Sequence, residues 1–156
     1  MTYQDGGLYQ EGSRYEGEFK DNKPNGQGVF TSPDGQLYNG EFKDGKLNGQ
    51  GTMNYPDGRR YEGEYKDNKR DGYGIMTYQD GGFYQESSRY EGEFKDNKRD
   101  GYGIMTYQDG GLYQEGSRYE GKWKNDKRDG QGIMTYLDDG RRLEGKFKEN
   151  VYIGSY

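Results

Sequence analysis

Strict alternation of apolar and polar residues recurs along this chain. In Tyr61-Glu62-Gly63-Glu64-Tyr65-Lys66, tyrosine and glycine share one face while Glu62, Glu64 and Lys66 take the other. Period two is the mark of a strand. A second alternating run, Gly72 to Tyr78, puts Gly72, Gly74, Met76 and Tyr78 on one face and Tyr73, Ile75 and Thr77 on the other. Between them lies Asp67-Asn68-Lys69-Arg70-Asp71, a polar and turn-prone stretch. The unit therefore predicts one β-hairpin. Asp-Gly pairs such as Asp34-Gly35 and Asp57-Gly58 turn the chain into the next one.

The unit repeats. Tyr-x-Gly begins at Tyr15, Tyr38, Tyr61, Tyr90 and Tyr119, with a degenerate copy at Leu143, at spacings of 23, 23, 29, 29 and 24 residues. Two residues after each triplet stands an aromatic: Phe19, Phe42, Tyr65, Phe94, Trp123 and Phe147. The first five copies then carry Gly-x-Gly, from Gly26, Gly49, Gly72, Gly101 and Gly130. A fixed period of this length signals an array in which each unit packs on its neighbours. The predicted fold is all-β: an elongated, twisted, single-layer, open-ended array of antiparallel hairpins. It forms one array over 1–156, with a partial repeat at 1–14, the degenerate start at 143 and a C-terminal cap within 143–156, where Val151–Gly154 reads as the cap strand.

Glycine weakens a strand unless something must approach its backbone closely. Here the expected guests are aromatic rings lying over Gly63 and Gly74 and their equivalents. Two rings per repeat, each burying ~150 Å² or more, supply roughly 7 kcal/mol gross. Ordering one repeat costs more than that, so a lone hairpin falls short and stacking must supply the rest. Six units of two strands predict a span on the order of 55 Å.

Composition sharpens this picture. Only 27% of residues are hydrophobic and 33% are charged, a balance that by itself points to disorder. Eighteen tyrosines and six phenylalanines on a strict period point the other way. The net charge of −5 counts against a nucleic-acid partner held by phosphate contacts. With no cysteine and no histidine, a thiol nucleophile, a zinc site and the commonest acid–base group are all missing. The Asp67–Asp71 loops resemble a calcium loop only superficially, since Lys69 and Tyr78 stand where oxygen ligands belong. No enzyme, cofactor or metal is expected, and the cytoplasm is the default location.

The run Tyr-x-Gly-Glu-aromatic, polar loop, Gly-x-Gly and Asp-Gly resembles the MORN (membrane occupation and recognition nexus) repeat over nearly the whole chain. The resemblance implies a twisted array of hairpins serving as an interaction or assembly module, in settings such as ciliary radial spokes, cytoskeletal rings and membrane junctions. Two features depart from the family. Asn25, Asn48, Asp71, Asp100 and Asp129 stand where it often has histidine, and two intervals are 29 residues rather than 23. The first weakens any transfer of anionic-lipid binding.

Three sets of residues are candidate contact sites. The extra residues of the long intervals place Phe83, Tyr84, Leu112 and Tyr113 at one edge of the array, matched by Leu8 and Tyr9 at the start. They read either as fingers gripping a partner or as local hairpin extensions. The aromatic face, with Tyr61, Tyr65, Tyr90, Phe94, Tyr119 and Trp123, reads as a thin core or as a groove for a helix or extended segment. The pairs Lys69-Arg70, Lys98-Arg99 and Lys127-Arg128 form a stripe along the hairpin tips, a weak anionic-lipid candidate because acids bracket each pair. The favoured function is a non-catalytic protein-interaction scaffold in a cytoskeletal or ciliary complex. The alternatives are a peripheral module for phospholipid head groups and a carbohydrate-binding repeat. The opening segment Met1–Gly7 matches Met76–Gly82, which predicts edge-to-edge self-association through the N-terminal strand.

Overall fold

The computed structural model describes residues 10–79, 88–107 and 116–155. They form twelve strands: β1 (Arg14–Lys20), β2 (Lys23–Thr31), β3 (Leu37–Lys43), β4 (Lys46–Asn54), β5 (Arg60–Lys66), β6 (Lys69–Tyr78), β7 (Ser88–Lys95), β8 (Lys98–Thr106), β9 (Arg118–Lys124), β10 (Lys127–Thr135), β11 (Arg142–Lys148) and β12 (Val151–Gly154). All twelve join one antiparallel sheet in sequence order, with β1 and β12 at its ends. The fold is an all-β open array of hairpins.

The hairpin turn is tighter than the polar stretch suggests. Only Asp67 and Asn68 form it, both with positive φ (46° and 69°), and Lys69 already pairs with Lys66. Two left-handed residues in succession match the twist of the flanking strands, and aspartate and asparagine tolerate that conformation best. Lys69, Arg70 and Asp71 therefore belong to β6, and the expected five-residue loop is corrected to two.

The residues freed from the loop are taken up by a bulge. Gly63 faces Gly74 and Tyr65 faces Arg70, so Glu64 alone spans Asp71, Gly72 and Tyr73. Gly72 sits there at φ 108°, which is why glycine opens each Gly-x-Gly. The Glu64 carboxylate accepts a hydrogen bond from the Tyr73 amide at 2.9 Å, satisfying a donor that the bulge strips from the ladder. Glu18, Glu41 and Glu93 do the same for Gln27, Gln50 and Tyr102. Between repeats the register is unbroken, as from Gly72 opposite Phe94 to Tyr78 opposite Ser88.

One face of the sheet carries the core. Tyr38, Tyr61, Tyr90 and Tyr119 are fully buried. A Cβ at Gly74 would overlap the Tyr61 ring, so the second glycine of Gly-x-Gly clears the space in which that ring lies. Each ring also meets two others edge-on: Tyr61 lies 5.2 Å from Tyr65 in its own repeat and 5.1 Å from Phe94 in the next. Tyr90 likewise meets Phe94 and Trp123, and Tyr119 meets Trp123 and Phe147. Edge-to-face geometry is favourable for aromatic pairs, and here it runs unbroken along the array. The expected ring-over-glycine packing lies within each hairpin, as with Tyr61 over Gly74, and it is the edge-on ring contacts that join one repeat to the next.

Candidate functional site

The buried ladder uses up the rings first considered for a partner groove. Tyr61, Tyr65, Tyr90, Phe94, Tyr119 and Trp123 are each at most 4% exposed. Their hydroxyls and ring nitrogen are largely committed as well. Tyr61 donates to the Glu64 carbonyl at 3.0 Å, Tyr90 to that of Glu93 at 2.9 Å, and Trp123 Nε1 to that of Gly103 at 3.2 Å. Desolvation pushes the phenols upward, Tyr119 to about 12. These six residues are core, and a groove lined by them is corrected accordingly.

A second tier lies over them. Tyr55, Tyr78, Tyr107 and Tyr136 pack on the core but stay partly exposed. Each stands just beyond or at the end of the second strand of its hairpin, one alternation past the buried methionine. Tyr78, Tyr107, Met105, Trp123, Arg99 and Asp126 border a recess of about 380 Å³. This tier was visible in the sequence as Met-x-Tyr, with Tyr78 on the same face as Met76.

The basic doublets split between two environments. Lys69 points outward and pairs with Asp96 at 3.4 Å across the tips, and Lys127 pairs with Glu149 at 3.4 Å. The arginines instead turn onto the tyrosine face. Arg70 lies over the Tyr61 and Phe94 rings at 5.7 and 5.5 Å, and Arg99 lies over Trp123 at 4.4 Å. Arg128 is only 3% exposed. Each also clamps the next hairpin. The Arg70 amide donates to Asn97 Oδ1 and its guanidinium to the Asn97 carbonyl, while the Asn97 amide donates back to the Arg70 carbonyl. Asp126 and Asn150 play the same part for Arg99 and Arg128. A stripe of Lys69, Arg70, Lys98, Arg99, Lys127 and Arg128 along the tips is therefore corrected: only the lysines face outward. Pro24 and Leu47 hold the arginine position in the first two repeats, and an apolar residue there was the signal that it faces inward.

The opposite face carries ion pairs and carboxylates. The Tyr73 hydroxyl donates to Glu91 at 2.7 Å and Arg89 adds a second bond, and Tyr102, Glu120 and Arg118 repeat the arrangement. The tyrosine bond, then the arginine, holds both glutamates below their ordinary range. Such carboxylates stay ionised and make poor proton donors. Among the described residues no cluster of three or more His, Cys, Asp or Glu is placed to hold a metal ion.

The finger residues Leu8, Tyr9, Phe83, Tyr84, Leu112 and Tyr113 lie outside the described residues, as does the opening strand expected to self-associate. The longer repeat nevertheless closes like the shorter one. Tyr55 N donates to Arg59 O and Gly58 N to Tyr55 O; Tyr107 N donates to Ser117 O and Gly116 N to Tyr107 O. The additional residues thus fall within 108–115.

Sheet, bulges and clamps together define a linear β-hairpin repeat protein with a tyrosine-lined face and a carboxylate face. The chain belongs to the MORN repeat family: the family model matches residues 15–37, 38–59, 61–83, 90–112 and 119–141, more than half of the chain. No curated protein matches it. MORN repeats are generally non-catalytic, and they are consistent with protein-interaction or membrane-binding modules.

Proposed function

We propose that this chain is a non-catalytic scaffold that docks a protein partner on its tyrosine face, across the repeats that begin at Tyr61, Tyr90 and Tyr119. The recess between Tyr78 and Tyr107 carries this reading. It offers partly exposed aromatic rims over a floor of Trp123, with the Arg99 guanidinium fixed by Asp126. Rigid aromatics beside a held arginine are the residue types that dominate binding energy at protein interfaces. A phospholipid surface fits less well, because the outward lysines already face acids across the tips. Assembly into a cytoskeletal or ciliary complex is the setting in which such a docking rail serves.

Proximity labelling with the wild type against a Tyr78→Ala/Tyr107→Ala variant tests the reading. A partner set lost from the variant, with its β-sheet spectrum retained, is the expected result. If the same set is lost only when Phe83, Tyr84, Leu112 and Tyr113 are changed to serine, the fingers are the site instead. Tight co-sedimentation with anionic vesicles at physiological salt would replace the protein-docking reading by the membrane one.

A further inference from the structure

One spot on the tyrosine face is left chemically incomplete. Tyr65 and Arg70 face each other across β5 and β6. Both Tyr65 Oη and Arg70 Nε are buried, and among the described residues neither has a hydrogen-bond partner. An orphaned buried donor costs more than an ordinary hydrogen bond contributes, so two side by side call for an acceptor.

Neighbouring repeats show what resolves the problem. In the second repeat the pair is Phe42 and Leu47, which carry no polar atoms to satisfy. In the fourth it is Phe94 and Arg99. There Asp126 Oδ1 accepts the Arg99 amide at 2.9 Å and its Nε at 3.3 Å. Arg70 meets Asn97 at the same place, whose Oδ1 takes the amide alone. Here a neutral amide stands in place of the carboxylate, Tyr65 in place of Phe94 across the strands and Phe94 in place of Trp123 under the guanidinium, and among the described residues Arg70 has no ion pair. Arg128 also meets a neutral amide, that of Asn150, but of the three arginines only Arg70 has a buried Nε left without a partner among the described residues. Arg70 is partly exposed although its Nε is buried, so an incoming group meets the guanidinium first and the side chain must turn to present that atom.

We propose that Arg70, backed by Tyr65, is a receptor for a carboxylate: an aspartate or glutamate side chain of the docked protein partner. This rests on the tyrosine face being the docking surface. Asp126 is the internal precedent, since a protein carboxylate already completes Arg99. The incoming oxygens would take the Nε–H and, as the guanidinium turns to meet them, the phenolic O–H, forming charge-assisted bonds of the stronger kind.

A fluorescein-labelled hexaglutamate peptide, followed by anisotropy against the full chain, tests this with hexaglutamine as the neutral control. Hexaglutamate should bind in preference, and Arg70→Leu should weaken it at least about tenfold. Asn97→Asp should weaken it equally while making the protein more resistant to denaturant, because the Asp126 arrangement is then copied and the site is filled from within. That second variant separates loss of the receptor from loss of the fold. Asp126→Asn should open an equivalent site at Arg99 and raise the stoichiometry. The proposal is overturned if the two peptides bind alike, or if Asn97→Asp binds as the wild type does. Equal competition by inorganic phosphate would overturn the choice of a carboxylate. Should hexaglutamate fail while Tyr78→Ala/Tyr107→Ala still loses its partners, this inference falls and the docking face stands.

Discussion

The heptapeptide Arg-Tyr-Glu-Gly-Glu-Phe-Lys occurs twice, at 14–20 in β1 and at 89–95 in β7. The copies share every residue and differ in burial at the tyrosine, the first glutamate, the glycine and the phenylalanine. In β7 the tyrosine is fully buried and Phe94 is 4% exposed, whereas in β1 Tyr15 is only partly buried and Phe19 is 56% exposed. Both form a hairpin with the same bulge. Local sequence thus suffices for strand, turn and bulge but not for burial. Phe94 is covered because Tyr61 of the preceding repeat meets its edge, whereas among the described residues β1 has a strand neighbour on one side only. The ring ladder is a property of the interface between repeats, as expected of an array stabilised by nearest neighbours.

The largest expected difference between the two regions is seen in alkali. Desolvation raises Tyr38, Tyr61, Tyr90 and Tyr119 far above 10, with Tyr119 at about 12, and raises Tyr15 as well. A raised folded value means the neutral phenol is favoured in the folded state. The stability these groups confer is complete below pH 10 and drains as pH climbs through their folded values. Tyrosinate absorbance and β-sheet circular dichroism, followed together, should show interior phenols ionising only as the sheet melts. Interior phenols titrating near 10 with the sheet intact would mean that their burial is not what holds the repeats together.

Next in size, Phe94→Ala should cost about 3–5 kcal/mol and Phe19→Ala less than about 1, since only the first removes a close-packed buried ring. Denaturant titration of the two variants compares them directly. Equal losses would show that the identical heptapeptides contribute equally, and the neighbour-dependence argued above would be wrong.

Much of this was legible in the sequence, and the omissions have a common cause. Alternation placed Tyr61–Lys66 and Gly72–Tyr78 on the right strands and the right faces, because period two is a local property of the backbone. It missed Lys69, Arg70 and Asp71, which look like a polar loop until the bulge opposite Glu64 is known. The clamp was also out of reach, since Arg70 answers to Asn97, twenty-seven residues away. That distance along the chain becomes contact only once the hairpins stack. The second-tier tyrosines fell between these extremes. Met76-x-Tyr78 showed their face but gave no measure of how deeply the first tier would be covered.

The clamp itself gives a third, smaller comparison. Asn97→Gly keeps the left-handed turn, where φ is 69°, yet removes the side chain that accepts the Arg70 amide. The cost should be about 1–2 kcal/mol, the loss of one hydrogen bond that leaves a donor unpaired. Thermal unfolding of this variant beside Asn97→Asp reads the clamp from both sides, one variant weakening it and the other reinforcing it. A cost near zero for the glycine variant would place the cohesion of the repeats in the rings alone.

The smallest effect belongs to the tips. Lys69 and Asp96 are 3.4 Å apart, but their side chains are 53% and 62% exposed. At that exposure water screens the attraction, and ordering two mobile side chains offsets much of what remains. Lys69→Ala should therefore change stability by no more than about 0.5 kcal/mol, and raising the salt concentration should erase even that. Arg70, one residue further along the same strand, lies over two rings and holds the next turn, so Arg70→Ala should cost clearly more. Adjacent basic residues with such unequal weight would show that the face a residue occupies, and not its charge, decides its contribution to this array. Chemical denaturation of the two variants at low and high salt makes the measurement, and a salt-sensitive loss for Lys69→Ala larger than that for Arg70→Ala would reverse the assignment.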